Sequence, residues 1–226
     1  MGAVDAGDGD ALIAALRARL EAVGDAERAR QMQAYMKSEQ PFHGVPAPVR
    51  RRLERECFAA HPLEEPAWRT TTKRLWDEAT HREERYAAIS LARWRTHRAA
   101  ATHPDMLPLY RHLVTSGAWW DLVDETAQHL VWPVLAAHRT EVTPVMREWA
   151  TDDDLWVRRT AILCQEPAKA ETDLALLDAV LALNLEDSLH GRTFWIRKAI
   201  GWALRSYSRT DPAWVRTWSR PMTSPV

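Results

Sequence analysis

Apolar residues recur at helical spacing along almost the whole chain, and no segment sustains the period-two alternation of a half-buried strand. Leu12, Ile13, Leu16 and Leu20 mark a first helix, and the stretch from Asp25 through Met32, Tyr35 and Met36 a second, expected to pair with it antiparallel. Between Pro41 and Pro48 the chain is irregular, because Pro41, Pro46 and Pro48 withhold backbone donors and Gly44 permits a positive φ. A helix restarts at about Pro48, where Arg50, Arg51, Arg52 and Arg55 splay around the axis, so that at least one must point to solvent or a partner. Beyond it the periodicity predicts helices over 64–78, 82–97, 104–116, 119–136, 140–150, 153–166, 172–184, 190–207 and 211–218. Stripes such as Ala87, Leu91 and Trp94, or Trp156, Thr160 and Leu163, give each helix one face for a core.

Helices of this length with short connections fit stacked antiparallel pairs, so the expected fold is all-α, a superhelical solenoid whose concave side suits a long, regular partner. Self-similarity between pairs is weak, and the repeat reading rests on spacing. One domain is expected over 10–218. A small, acidic stretch at 1–9 carries too little apolar surface to fold, and 219–226, with Pro221 and Pro225, is expected to be an irregular tail.

Composition narrows the function classes. With 12 Trp, 13 Pro and only 8 Gly, the chain is unlike a Gly-rich nucleotide-binding α/β protein; no Gly-rich phosphate loop is present, and no nucleotide or other cofactor is expected. Lys+Arg number 30 against 31 Asp+Glu, so no whole-molecule basic field marks a nucleic-acid partner and any such site must come from local clustering. Cys57 and Cys164 sit in apolar helical patterns as packing residues, which fits a reducing compartment. Without a basic-flanked leader or a long apolar run, a cytoplasmic protein with no membrane contact is expected, as a monomer. The nine histidines are scattered without a short ligand pair, and no metal is expected.

Three stretches carry candidate chemistry. In 116–124, Trp120 and Asp124 stand at i and i+4, so an indole and a carboxylate share a helix face while Trp119 points about 100° away. The plainer alternative is that Asp124 only pairs with a nearby arginine. A second cluster is Leu155-Trp156-Val157-Arg158-Arg159-Thr160-Ala161-Ile162-Leu163, with two adjacent arginines. From 190 onward, seven Arg/Lys, among them Arg197, Lys198 and Arg205, face the single acid Asp211, with aromatic residues interleaved. That pattern suits phosphate and sugar binding, or else a solvated basic face with Trp195 and Trp202 in the core.

The chain resembles the AlkD-like DNA alkylation-repair glycosylases. Met32-Gln33-Ala34-Tyr35-Met36-Lys37, Arg74-Leu75-Trp76-Asp77, Trp119-Trp120-Asp121-Leu122-Val123-Asp124, Trp156-Val157-Arg158-Arg159 and Ile196-Arg197-Lys198-Ala199-Ile200-Gly201-Trp202 match in family order over about residues 10–218. The resemblance implies HEAT-like helical repeats that wrap duplex DNA, and excision of cationic N3- and N7-alkylated purines. It implies Asp124, Trp120 and Trp202 as catalytic residues, with Arg159, Tyr35, Arg205, Lys198 and Arg197 on the DNA. Arg159 would clamp a backbone phosphate beside the lesion, the alternative being an ion pair with Asp124 alone. A base already cationic departs without protonation, so one carboxylate suffices: it stabilises the positive charge that builds on the deoxyribose and positions water. The aromatic faces of Trp120 and Trp202 would support the sugar and the cationic nucleotide. By the same resemblance, relatives continue into a further basic helix beyond about residue 218, so fewer phosphate contacts are expected at that end. Two other readings stand beside this one: a non-catalytic binder of DNA structure on the same scaffold, and a HEAT-type protein-interaction scaffold.

Overall fold

The computed structural model describes residues 4–219, and these fall into two compact units divided between Ala101 and Thr102. Every regular element among the described residues is helical, and the helices pack side by side, in agreement with the expected all-α class.

The first unit contains α1 (Val4–Ala22), α2 (Ala26–Met36), α3 (Ala47–Ala60), α4 (Glu65–Asp77), α5 (Arg82–Ala92) and the short α6 (Arg98–Ala101). Helix α1 begins within the stretch assigned above to a tail. Gly9 explains why it can: a Cβ there would lie 2.3 Å from Thr71 Oγ1, so the glycine lets α1 approach α4, and Arg74 then pairs with Asp10 at 2.6 Å. Residues 1–3 and 220–226, where the rest of both expected tails falls, lie outside the described residues.

Leu12, Leu16 and Leu20 are fully buried, but the main partners of α1 are α3 and α4. The expected α1–α2 pair is thereby corrected. Helix α2 buries no residue, because its sequence offers too few apolar side chains to cover a neighbour. Its junction to α3 is held by Glu83, whose carboxylate accepts the backbone N–H groups of His43, Gly44 and Val45 at 3.0, 2.9 and 3.1 Å. Gly44 has φ 80°, and a Cβ there would meet Asp25 O at 2.1 Å, so the glycine is required. Of the arginines on α3, Arg50 is buried against Glu54 while Arg51, Arg52 and Arg55 are exposed.

The second unit holds α7 (Leu107–Gly117), α8 (Trp120–Thr126), α9 (Trp132–Ala137), α10 (Arg139–Trp149), α11 (Leu155–Leu163), α12 (Leu174–Ala182), α13 (Phe194–Tyr207) and α14 (Pro212–Trp218). The predicted helix over 119–136 is one helical run interrupted by a π segment, Ala127–Val131. Pro133 supplies the reason: it has no N–H for the carbonyl one turn back, and a widened turn accommodates that loss. Helix α11 is central, packing against α7, α8, α10, α12 and α13. Ile162 and Leu163 join Ala127, Leu177, Leu181, Ile196, Ala199 and Ala203 in one buried cluster. Cys57 and Cys164 are buried and free, and burial pushes the Cys164 thiol up to about 12, which leaves it inert as a nucleophile.

Candidate active site

Local structure around Asp124 begins with a sharp reversal. Ala118 adopts a left-handed conformation (φ 38°, ψ 37°) as the C-cap of α7, and Trp119 is extended (φ −150°) as the N-cap of α8. This launches α8 with Trp120 in its first position and Asp124 one turn later, on the same face as the i, i+4 spacing requires. Asp154 caps the facing helix: its carboxylate accepts the backbone N–H of Trp156 at 2.7 Å and of Val157 at 3.1 Å, and so fixes where α11 starts. The adjacent arginines of α11 then diverge. Arg158 bonds the carbonyls of Asp152 and Thr151, whereas Arg159 turns to Asp124.

The Arg159–Asp124 contact is bidentate. Nε donates to Oδ1 at 2.7 Å and Nη2 to Oδ2 at 2.8 Å, and Nη1 donates to the Trp195 carbonyl at 2.6 Å. Asp124 is 6% exposed and Arg159 4%. Burial pushes the Asp124 carboxyl above its ordinary value; the hydrogen bonds and charge of Arg159 pull against that, and the neighbouring Asp121 and Glu125 add to it.

A cluster of three indoles adjoins this pair through Trp195. Trp119, Trp156 and Trp195 pack together with ring centroids 5.4–6.2 Å apart, and the Trp195 ring lies 5.8 Å from the Arg159 guanidinium. Trp120 is half-buried. Trp202, two turns beyond Trp195 on α13, is partly buried and packs against the core cluster of the unit. It is therefore neither free on the surface nor wholly absorbed by the core.

Arg197, Lys198 and Arg205 of α13, and Arg192 just before it, are exposed and have no acidic partner among the described residues. In the first unit Arg17, Arg19, Arg28, Arg30, Arg69 and Arg74 pair with acids, whereas Arg51 and Arg55 are exposed without an ion pair among the described residues. Lys198 Nζ stands 5.9 Å from the ring of Phe194, which is 63% exposed and packs edge-on against Trp195 at 5.0 Å. Tyr35 belongs to the first unit, on α2, and is 79% exposed.

A second titratable cluster lies in the first unit. Ligand-type atoms of His43, His81 and Glu84 lie within 4.8 Å of one another, a grouping concealed by their separation in sequence. The two imidazoles are stacked, centroids 3.8 Å apart and planes 18° from parallel, so their in-plane lone pairs run side by side instead of converging on one ion. Glu84 is moreover occupied by Arg17 Nε at 2.8 Å, Thr80 Oγ1 at 2.8 Å and the His81 N–H at 3.1 Å. These features are those of a structural node.

Trp119, Trp156 and Trp195 are the site residues that sequence reasoning did not assign. The signal was present in the tryptophan excess and in the place of Trp156 one turn before Arg159.

Fold and site together define an all-helical protein with an internal acid–arginine pair adjoined by a cluster of indoles. The chain belongs to the DNA alkylation repair enzyme family, whose model matches residues 16–218. It is similar to a predicted DNA alkylation repair enzyme from Enterococcus faecalis of solved structure, with 30% identity and a TM-score of 0.75, over 87% of this chain and 88% of that one. Among curated proteins none matches the chain. No helix among the described residues is long and apolar enough to cross a membrane.

Proposed function

We propose that the protein is a DNA glycosylase that hydrolyses the N-glycosidic bond of cationic alkylated purines, N3-methyladenine and N7-methylguanine, in duplex DNA as a step of base excision repair. The observation that carries this reading is the buried carboxylate of Asp124, held in place by a bidentate arginine in a member of a DNA alkylation repair family. A carboxylate oxygen accepts two hydrogen bonds, so each Asp124 oxygen keeps a direction free of the guanidinium.

As the bond between sugar and base stretches, electrons leave with the cationic base and positive charge develops on the deoxyribose. A fixed carboxylate close to that centre stabilises it, and the same group orients the water that adds to the anomeric carbon and takes its proton. At an effective dielectric of about 20, unit charges about 4 Å apart interact by roughly 4 kcal/mol. The opposing charge of Arg159 reduces this to a few kcal/mol, still on the order of a hundredfold in rate. No second carboxylate is needed, because the base leaves without a proton.

Trp120 and Trp202 offer aromatic faces to the sugar and the cationic base, and the unpaired Arg197, Lys198 and Arg205 hold phosphates, with Tyr35 a further DNA contact. The bidentate contact favours one other reading, in which Asp124 and Arg159 only brace α8 against α11. Duplex DNA methylated at these positions, incubated with the protein beside an undamaged control, separates the two. Release of free 3-methyladenine and 7-methylguanine supports the glycosylase, and methylated bases that stay attached to the DNA support the brace.

A further inference from the structure

Asp124 reaches its position through a chain of contacts that its own helix does not supply. From the surface inward, Lys198 stands over Phe194, Phe194 packs edge-on against Trp195, the Trp195 ring faces the Arg159 guanidinium, and Arg159 grips Asp124. The same residue Trp195 also accepts a hydrogen bond from Arg159 through its carbonyl. Its indole is fixed in turn by Trp119 at 5.4 Å and Trp156 at 5.5 Å, from the turn before α8 and from α11. Three separate segments thus contribute one indole each to a single packed wall.

We infer that Trp195 is the positioning residue of this site: its indole and carbonyl fix the guanidinium of Arg159, and the wall it forms with Trp119 and Trp156 shields the Arg159 side of the pair from bulk solvent. The inference rests on the glycosylase reading for its effect on rate, but not for its effect on the pair. Arg159 has five N–H donors in a rigid fork; two hold Asp124 and a third holds the Trp195 carbonyl, which sets the plane of the guanidinium and with it the plane of the carboxylate.

An indole packed on a guanidinium in a dry environment adds attraction and removes the rotational freedom that would let the fork swing away. The charged groups acting on Asp124 are Arg159 from α11 and Asp121 and Glu125 from its own helix. Burial is the largest influence on its titration, so opening the wall to water lowers the pH at which it ionises.

The experiment compares Trp195→Leu, Trp195→Phe and Trp119→Leu with the parent chain. Trp119→Leu opens the other side of the wall without touching the Arg159 fork, and stands in if Trp195→Leu does not fold. The Asp124 carboxyl is followed by carbon-13 NMR titration, its signal assigned with Asp124→Asn, alongside kcat for base release and the Kd for duplex DNA. In the leucine variants Asp124 is expected to titrate at lower pH than in the parent, with kcat down about tenfold or more and Kd within about twofold. Trp195→Phe keeps an aromatic wall and stays close to the parent in both readouts. An unchanged titration in a folded leucine variant overturns the inference, as does a phenylalanine variant as impaired as the leucine one. If the parent releases no alkylated base, the glycosylase reading fails while the NMR titration still decides the role of Trp195.

Discussion

Replacing Arg159 with Met keeps the stem and removes the fork, which leaves the Asp124 carboxylate buried without its two charge-assisted hydrogen bonds of 2.7 and 2.8 Å. Breaking one side of a buried pair costs about 3–5 kcal/mol. A ceiling comes from the alternative open to the protein, which is to protonate the carboxyl: from an ordinary aspartate value that costs about 4 kcal/mol at pH 7, and less because burial already raises this carboxyl. A loss of about 3–4 kcal/mol at pH 7 is therefore expected.

The pH dependence has a definite sign. A folded-state pKa raised above the unfolded one gives stability that is present below the unfolded value and lost as pH rises through the folded value. Without Arg159 the raise is larger, so the deficit of the variant is smallest near the ordinary aspartate value of 3.8 and full at neutral pH. Urea denaturation of the parent, Arg159→Met and the double variant Asp124→Leu with Arg159→Met, at about pH 4.5 and pH 7, measures this. The double variant, which leaves no buried charge, is expected within about 1–2 kcal/mol of the parent. A single variant that loses under about 1 kcal/mol at pH 7, or equally at both pH values, would refute the reasoning.

Glu84 tests the first unit. Burial raises its carboxyl, but the adjacent His43 imidazole and hydrogen bonds from Arg17 and Thr80 outweigh that and hold it down at about 2, so its contribution is present above the ordinary value of 4.5 and lost as pH falls through about 2. Glu84→Gln is expected to lose about 2 kcal/mol at pH 7 after allowance for screening, with the difference vanishing in acid, as thermal melts across pH would register. Asp154→Ala removes the cap of α11 and should cost about 1 kcal/mol, read as a lower urea midpoint at unchanged slope. Arg205→Gln and Lys198→Gln should weaken duplex binding alike on methylated and unmethylated DNA. Each should lower the slope of log Kd against log salt by about one; an unchanged slope removes that residue from the interface.

Helix existence was largely legible from periodicity, since nearly every helix buries one stripe and leaves the other in water. Periodicity could not reveal that α2 buries nothing, because Met32, Tyr35 and Met36 mark a helix without saying what covers it. The π segment was hidden for a different reason: Pro133 announces a lost donor, yet whether the helix breaks or widens is decided by packing around it. At the site, the shared face of Trp120 and Asp124 followed from their spacing. That Arg159 and not Arg158 pairs with Asp124 did not, because the two are adjacent and only the start of α11, set by the Asp154 cap, selects which one meets Asp124. The hydrogen bond from Arg159 to the Trp195 carbonyl was invisible because no side-chain pattern encodes a backbone group. The stacking of His43 on His81 likewise depends on the 41–46 turn folding back onto the start of α5.

Asp124→Asn on duplex DNA carrying N7-methylguanine is the most direct test. The amide keeps the size of the carboxylate and removes its charge, so release of 7-methylguanine is expected to fall on the order of a hundredfold or more while duplex binding stays as tight or tighter. Undiminished release by a folded Asp124→Asn protein would contradict the account.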